Sequence, residues 1–176
     1  MTDGDDKVAD VTGEVGRLAG IARRGARRAP MEVVDRAIIT AGRGLNGDHK
    51  GAKFPNRGVT VLAREAWEEA LGTLLDQDGP ADLDWTLRRA NLLVEGIALP
   101  RVRGAILCVG PVLLEVTAQT YPCRRMEEVR AGLMKALASV WRGGVCCRVL
   151  VGGEVEIGQA VKVMWATEQR DIRLPG

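Results

Sequence analysis

Gly42-Arg43-Gly44-Leu45-Asn46-Gly47, followed by Asp48-His49-Lys50-Gly51-Ala52-Lys53-Phe54-Pro55-Asn56, decides between two folds. The first six residues match the pattern GxGxxG and come after a strand-like run, Met31 to Thr40. In a dinucleotide-binding βαβ unit a helix opens at that point and lays its N-terminus under the pyrophosphate. Here turn formers follow instead, and no apolar stripe accompanies them. The Rossmann reading is excluded. Gly44-Leu45-Asn46-Gly47-Asp48 reads as a tight loop with exposed backbone.

Upstream, Gly13 to Ala22 alternates weakly (Val15, Leu18, Ile21) and reads as a first strand, with Met31 to Thr40 as a second. Between them Arg23, Arg24, Arg27 and Arg28 are interleaved with glycine and alanine and closed by Pro30. No aromatic residue stands nearby to stack a base, so this run reads as a solvated loop. Downstream, Gly58 to Leu62 is a short strand, and Ala63 to Leu75 is a helix with Ala66, Trp67, Ala70, Leu71 and Leu74 as its stripe. Trp85 to Val94 runs into another strand, and residues 104–117 form two more around Gly110-Pro111. Val129, Leu133, Leu137 and Val140 predict a second helix, terminated at Gly143-Gly144. Val145 to Val151 is a strand, Gly152-Gly153 reads as a hairpin turn, and Val155, Ile157, Val161 and Val163 alternate in the last strands.

Many short strands, two helices and frequent glycine turns predict a closed or nearly closed β-barrel with appended helices, not a βαβ sheet. Residues 1–11 read as a disordered tail, 12–165 as one domain and 166–176 as a C-terminal tail.

The chain has 176 residues, enough for one domain with its own core, and a formal charge of only +2, which argues against wholesale nucleic-acid binding. Its cations are 20 Arg against 5 Lys. Arginine grips phosphate or carboxylate with two parallel hydrogen bonds, so an anionic ligand fits this bias. Cysteines at 108, 123, 146 and 147 form no spaced disulfide framework, which places the chain in a reducing, cytoplasmic compartment. Cys146 and Cys147 would face opposite sides of a strand, one of them toward the core. With no CxxC pair and a single histidine, His49, a tetrahedral zinc site is not expected. The acidic start, Met1 to Asp10, is no signal peptide, and no run approaches a membrane span.

Thr120-Tyr121-Pro122-Cys123-Arg124-Arg125-Met126-Glu127-Glu128 is the stretch that can carry chemistry. Cys123 falls at the start of the second helix, where the helix dipole, Arg124 and Arg125 favour thiolate. The competing reading is a small buried hydrophobe, the usual fate of a free cysteine.

Seven segments in order resemble the MOSC family, the domain at the C-terminus of molybdenum-cofactor sulfurases that also occurs as stand-alone bacterial proteins. They are Gly44 to Asp48, Arg57-Gly58-Val59-Thr60-Val61-Leu62, Arg89-Ala90-Asn91-Leu92-Leu93-Val94-Glu95-Gly96, Gly104 to Gly110, Pro122-Cys123-Arg124-Arg125-Met126, Arg142-Gly143-Gly144-Val145-Cys146-Cys147-Arg148-Val149-Leu150, and Val155 to Gly158. The resemblance spans about residues 13–164 and implies a mainly β fold with helices, a pyruvate-kinase-like β-barrel.

It further implies that Cys123 carries sulfur as a persulfide. A cysteine desulfurase with its own pyridoxal phosphate would load the sulfur, which then passes to the molybdenum cofactor (molybdopterin), a molybdoenzyme or another metal–sulfur centre. The alternative is a molybdenum-dependent reductase component for N-hydroxylated compounds, with Cys123 as a molybdenum ligand. The chain includes neither a fused desulfurase nor a ferredoxin-type segment, so a separate sulfur donor or electron donor is expected. Arg57, Arg89, Asn91 and Arg142 are expected to point into a common mouth with Cys123, and Asp48 to orient an arginine or the cofactor. None of the five lysines stands in a recognisable phosphate cup, so pyridoxal phosphate belongs to the partner only.

Overall fold

A computed structural model describes residues 10–76, 79–80 and 82–165. Among these described residues eleven strands appear in chain order: β1 (Asp10–Arg23), β2 (Glu32–Val33), β3 (Arg36–Thr40), β4 (Gly44–Leu45), β5 (Val59–Ala63), β6 (Leu92–Glu95), β7 (Ile106–Val109), β8 (Val112–Gln119), β9 (Val145–Val151), β10 (Gly153–Glu156) and β11 (Ala160–Trp165). Three helices accompany them: α1 (Arg64–Gly72), α2 (Arg124–Val129) and α3 (Leu133–Ala138). The order β11-β7-β8-β9-β5-β6-β1, with β11 pairing back onto β1, closes a seven-stranded barrel. Its ladders are antiparallel except β5–β6, whose chain crosses over through α1 as a parallel pair requires. Strands β10, β3 and β4 form a small second sheet that sends Ala37, Ile39, Leu45 and Val155 into the barrel core.

Period-two alternation explains both hydrophobic layers. In β5 and β6, Val59, Val61, Leu92 and Val94 face the barrel interior, whereas Leu62 and Leu93 face outward. The outward pair is covered by Trp67, Ala70 and Leu71 of α1, Met126 of α2 and Leu133 and Leu137 of α3. Each fully buried aliphatic side chain there stabilises the fold by about 1.5–3 kcal/mol. Met126 is 1% exposed, so this layer also anchors the segment that carries Cys123. No described helix is long and apolar enough to cross a membrane.

Several expectations change in the structure. Gly44 and Leu45 are buried and pair with β3, so the glycine-rich loop does not expose its backbone there. Gly44 has φ +71°, and a Cβ on it would stand 2.0 Å from the Gly58 carbonyl oxygen. The first half of the decoy motif is therefore a packing device. Trp85–Arg88 is a 3-10 turn and not the start of a strand, with Asp84 accepting from the Thr86 amide at 2.8 Å.

The single helix expected over residues 124–140 is two short ones. Arg130 is extended and buried, its guanidinium donating to the carbonyls of Leu74 and Pro80, and Gly132 then turns at φ +83°. Gly152-Gly153 makes no hairpin, because β10 pairs with β3 while β9 pairs with β5 and β8. The N-terminal boundary moves too: Asp10 and Val11 already pair with Trp165 and Met164 in β1–β11. The remainder of that expected tail, residues 1–9, and the expected C-terminal tail, 166–176, lie outside the described residues.

Candidate functional site

One end of the barrel carries a cavity of about 470 Å³. Four chain segments make it: the arginine run after β1, the 48–57 loop, the turn before β6, and residues 120–126 leading into α2. Five expected site residues line it together: Cys123, Arg57, Arg89, Asn91 and Asp48. Arg142 does not. Val140 and Trp141 adopt left-handed backbone (φ 46° and 58°), and the turn delivers Arg142 to α1, where its Nη2 lies 2.7 Å from Glu69 Oε1. It lines a separate cavity of about 450 Å³ with Trp141 and Glu69.

The five converging residues do different things. Asn91 is buried, and its amide is committed to the scaffold. Its Oδ1 accepts from the Thr60 amide (3.1 Å) and hydroxyl (3.2 Å), and its Nδ2 donates to the Ala22 carbonyl (3.3 Å). It ties β1, β5 and β6 together beneath the cavity. Asp48 takes the Arg24 amide on one oxygen and the Lys50 amide on the other, both at 3.2 Å. It shapes the loop that was expected to be turn chemistry. Arg89 sits at φ 66°, donates Nη2 to Ala29 O at 2.8 Å, and buries an Nε that has no acceptor among the described residues. Arg57 is exposed at the end of the Pro55–Arg57 turn.

The fold also brings in Lys50 and Arg88, which the sequence did not single out, Arg125 beside the cysteine, and the arginine run that read as a solvated loop. Arg24, Arg27, Arg28, Lys50, Arg88 and Arg125 also line the cavity, giving seven arginines and one lysine against the single carboxylate of Asp48. Among the described residues, none of these seven arginines has a carboxylate partner. Arg24 is only 8% exposed, so most of its surface is out of water without an ion pair. Arg88 donates to the carbonyls of Gly143 (3.1 Å) and Thr120 (2.9 Å), which pins the start of the Cys123 loop. Burial lowers the Arg88 pKa, and a negative charge on Cys123 opposes that shift.

Cys123 is exposed, which removes the buried-hydrophobe reading. It caps α2 through its carbonyl, accepting from the Met126 amide at 2.9 Å, and its side chain makes no capping bond. Helix α2 has only six residues, and Lys50, Arg88 and Arg89 are side chains that a negative charge on Cys123 would reach. Of the flanking arginines, Arg125 lines the cavity and Arg124 is exposed outside it. Cys147 is walled into the barrel, where burial pushes its thiol far up, and Cys146 is buried beside the Thr120 hydroxyl (3.3 Å). Both faces of β9 are thus closed to solvent at positions 146 and 147. Burial also raises Cys108, away on β7.

Desolvation, with Arg24 and Arg57 close by, lowers the Lys50 pKa from 10.5 even though its side chain reaches solvent. A bound anion reverses these effects and raises it. The charged amine favours the anion, so pyrophosphate affinity is expected to fall as pH rises from neutral toward 10.5. Calorimetric titrations check this; an unchanged fall in Lys50→Gln would assign it to another group.

A family model for the MOSC domain matches residues 48–162, about two thirds of the chain. The chain belongs to the MOSC family. Its barrel agrees with solved MOSC structures. YuaD from Bacillus subtilis superposes with TM-score 0.69 at 16% identity, covering 90% of this chain and all of that one. YiiM from Escherichia coli gives 0.60 at 19% identity, covering 87% and 72%. YiiM from Geobacillus stearothermophilus gives 0.64 at 15% identity, covering 85% and 75%. At these identities the likeness establishes the fold. No curated protein matches the sequence. MOSC domains are associated with molybdenum-cofactor sulfurases and molybdenum-cofactor-binding proteins. The cavity's Arg24, Arg27 and Arg28 precede the matched span in sequence.

Proposed function

We propose that this MOSC protein is a sulfur carrier for the molybdenum cofactor, with Cys123 as the sulfur-bearing residue and the arginine cavity as the cofactor's seat. One observation carries the reading: an exposed thiol opens onto a cavity whose seven arginines lack carboxylate partners among the described residues. A buried guanidinium without an acceptor is costly unless a ligand supplies one. The unpartnered Nε of Arg89 and the sequestered Arg24 suit the phosphate of a pterin cofactor. Among the described residues no three His, Cys, Asp or Glu side chains cluster, so the metal centre would meet one protein sulfur, that of Cys123. When bound, the cofactor supplies the metal centre that accepts sulfur.

Loading is a thiol exchange. The Cys123 thiolate attacks the terminal sulfur of a desulfurase persulfide, the donor's S–S bond breaks, and the donor leaves as thiolate. One S–S bond forms as one breaks, with no net oxidation, and the terminal sulfur keeps its proton. Lys50, Arg88 and Arg89 face the negative charge on Cys123 before transfer, and the departing donor thiolate carries that charge away. Exposure of Cys123 lets a partner protein reach it. A free, working thiol also suits a reducing cytoplasmic setting.

The second reading is a molybdenum-dependent reductase component with Cys123 as a standing ligand and a separate electron donor. The depth of the cationic seat favours it, since a relay alone needs only a reachable sulfur. Metal and pterin analysis of protein purified from its native cells tests the seat: molybdenum and pterin fluorescence are expected, and both are expected to fall together in Arg89→Ala. Their absence in the native protein would remove the cofactor from either reading. Mass gain of one sulfur atom after incubation with a desulfurase and cysteine selects the carrier; stoichiometric molybdenum without such gain selects the reductase component.

A further inference from the structure

The chain contains one phenylalanine and one tyrosine, and both lie on the rim of the cationic cavity. Phe54 is 53% exposed and Tyr121 is 71% exposed, whereas large aromatic surfaces ordinarily go inside. They approach from different loops, 67 positions apart in sequence, and flank the same opening as Arg27, Arg28 and Cys123. The arginine run, without an aromatic neighbour in sequence, acquires two through folding.

Charge leads to the same ligand class. A phosphate monoester brings at most two negative charges, yet eight cations face the cavity and the single carboxylate, Asp48, is bonded to backbone amides. Arg24 and Arg89 lie in the protected part, the former nine-tenths buried without an ion pair. Arg27 and Arg28 stand exposed at the rim. Two tiers of guanidinium suit two phosphates, and exposed aromatic faces beside the outer tier suit a planar base. At about 470 Å³ the cavity has the size of a small-molecule site, not of a groove that tracks a polymer.

We propose that this site takes a nucleoside diphosphate moiety, its phosphates on the Arg24–Arg28 run with Arg89 and its base stacked on Phe54 and Tyr121. The moiety has two possible sources: a free nucleotide, or the nucleotide arm of a dinucleotide-extended cofactor. The second source rests on the cofactor reading above; the binding measurement does not.

Titration calorimetry of the full chain with pyrophosphate, ADP and a short single-stranded oligonucleotide tests it. ADP is expected to bind about tenfold more tightly than pyrophosphate, the order of one base stacked on an aromatic ring. Phe54→Ala/Tyr121→Ala is expected to erase that advantage while leaving pyrophosphate affinity and the melting temperature unchanged. Arg27→Ala/Arg28→Ala is expected to weaken both ligands. Equal affinities, an ADP advantage that survives the aromatic double variant, or tighter binding of the oligonucleotide overturns the proposal. Mass spectrometry of the small molecules released from native protein separates the sources. Nucleotide without pterin, or nucleotide covalently joined to pterin, supports it. Pterin bearing a single phosphate and no nucleotide overturns it while leaving the cofactor reading intact.

Discussion

Cys123→Ala is expected to abolish sulfur loading completely while leaving the melting temperature within about 1 °C of the parent. The chemical half follows from access: Cys123 is the exposed thiol, whereas Cys146 and Cys147 are closed in by the strands on either side of them. The stability half follows from bonding. The side chain makes no capping hydrogen bond, and the Cys123 carbonyl that does cap α2 is unaffected by the substitution. Exposed substitutions of this kind usually change stability by no more than about 0.5 kcal/mol. Whole-protein mass after desulfurase treatment, read beside a thermal melt, checks both halves. Retained sulfur in the variant would move the activity to Cys108, the remaining partly exposed thiol, and refute the assigned role of position 123.

The largest structural effect is expected at Asn91, which never touches the chemistry. Asn91→Ala strands the Thr60 amide and the Ala22 carbonyl beneath the cavity. Each buried polar group left without a partner costs about 1–3 kcal/mol, so a total near 3 kcal/mol is expected. For a domain of this size that corresponds to a fall of about 10 °C in melting temperature. Pyrophosphate affinity should drop as well, because Ala22 leads into Arg24 and Thr60 follows the turn that ends in Arg57. A melt unchanged within about 2 °C would show that neighbouring strands hold the register without this amide.

These two positions also mark what could be read from sequence. The barrel was legible because β-strand alternation survives in short segments: Val59, Val61 and Leu62 already assign the two faces of β5. Cys123 was legible because proline, cysteine and two arginines form a local signal. Pairing partners were not, since Gly152-Gly153 looks like a hairpin until β3 claims β10. The broken helix was hidden for a related reason. Val129, Leu133 and Leu137 keep helical spacing across the break, while Arg130 is drawn away by the distant carbonyls of Leu74 and Pro80.

The site was half legible. Arg89 and Arg88 are adjacent in sequence but serve differently, one facing the cavity with an unpartnered Nε and the other stitching Thr120 to Gly143. Only the 3-10 turn at 85–88 separates those roles, and its residues read equally well as the lead into a strand. Arg142 failed as a site residue because two successive left-handed residues redirect the chain, a conformation no non-glycine pattern advertises. The gathering of Phe54, Tyr121 and the arginine run is purely tertiary.

Closure of the barrel through β1 and β11 has a practical corollary for tethered partners. Asp10 pairs with Trp165, so the chain enters and leaves the barrel side by side, at the far end of β1 from Arg23 and the cavity. Two bulges shorten β1, so at about 3.3 Å per residue it separates them by roughly 30 Å. An electron-transfer or sulfur-donating module joined where the chain enters or leaves the barrel would need a leash of that reach to meet Cys123.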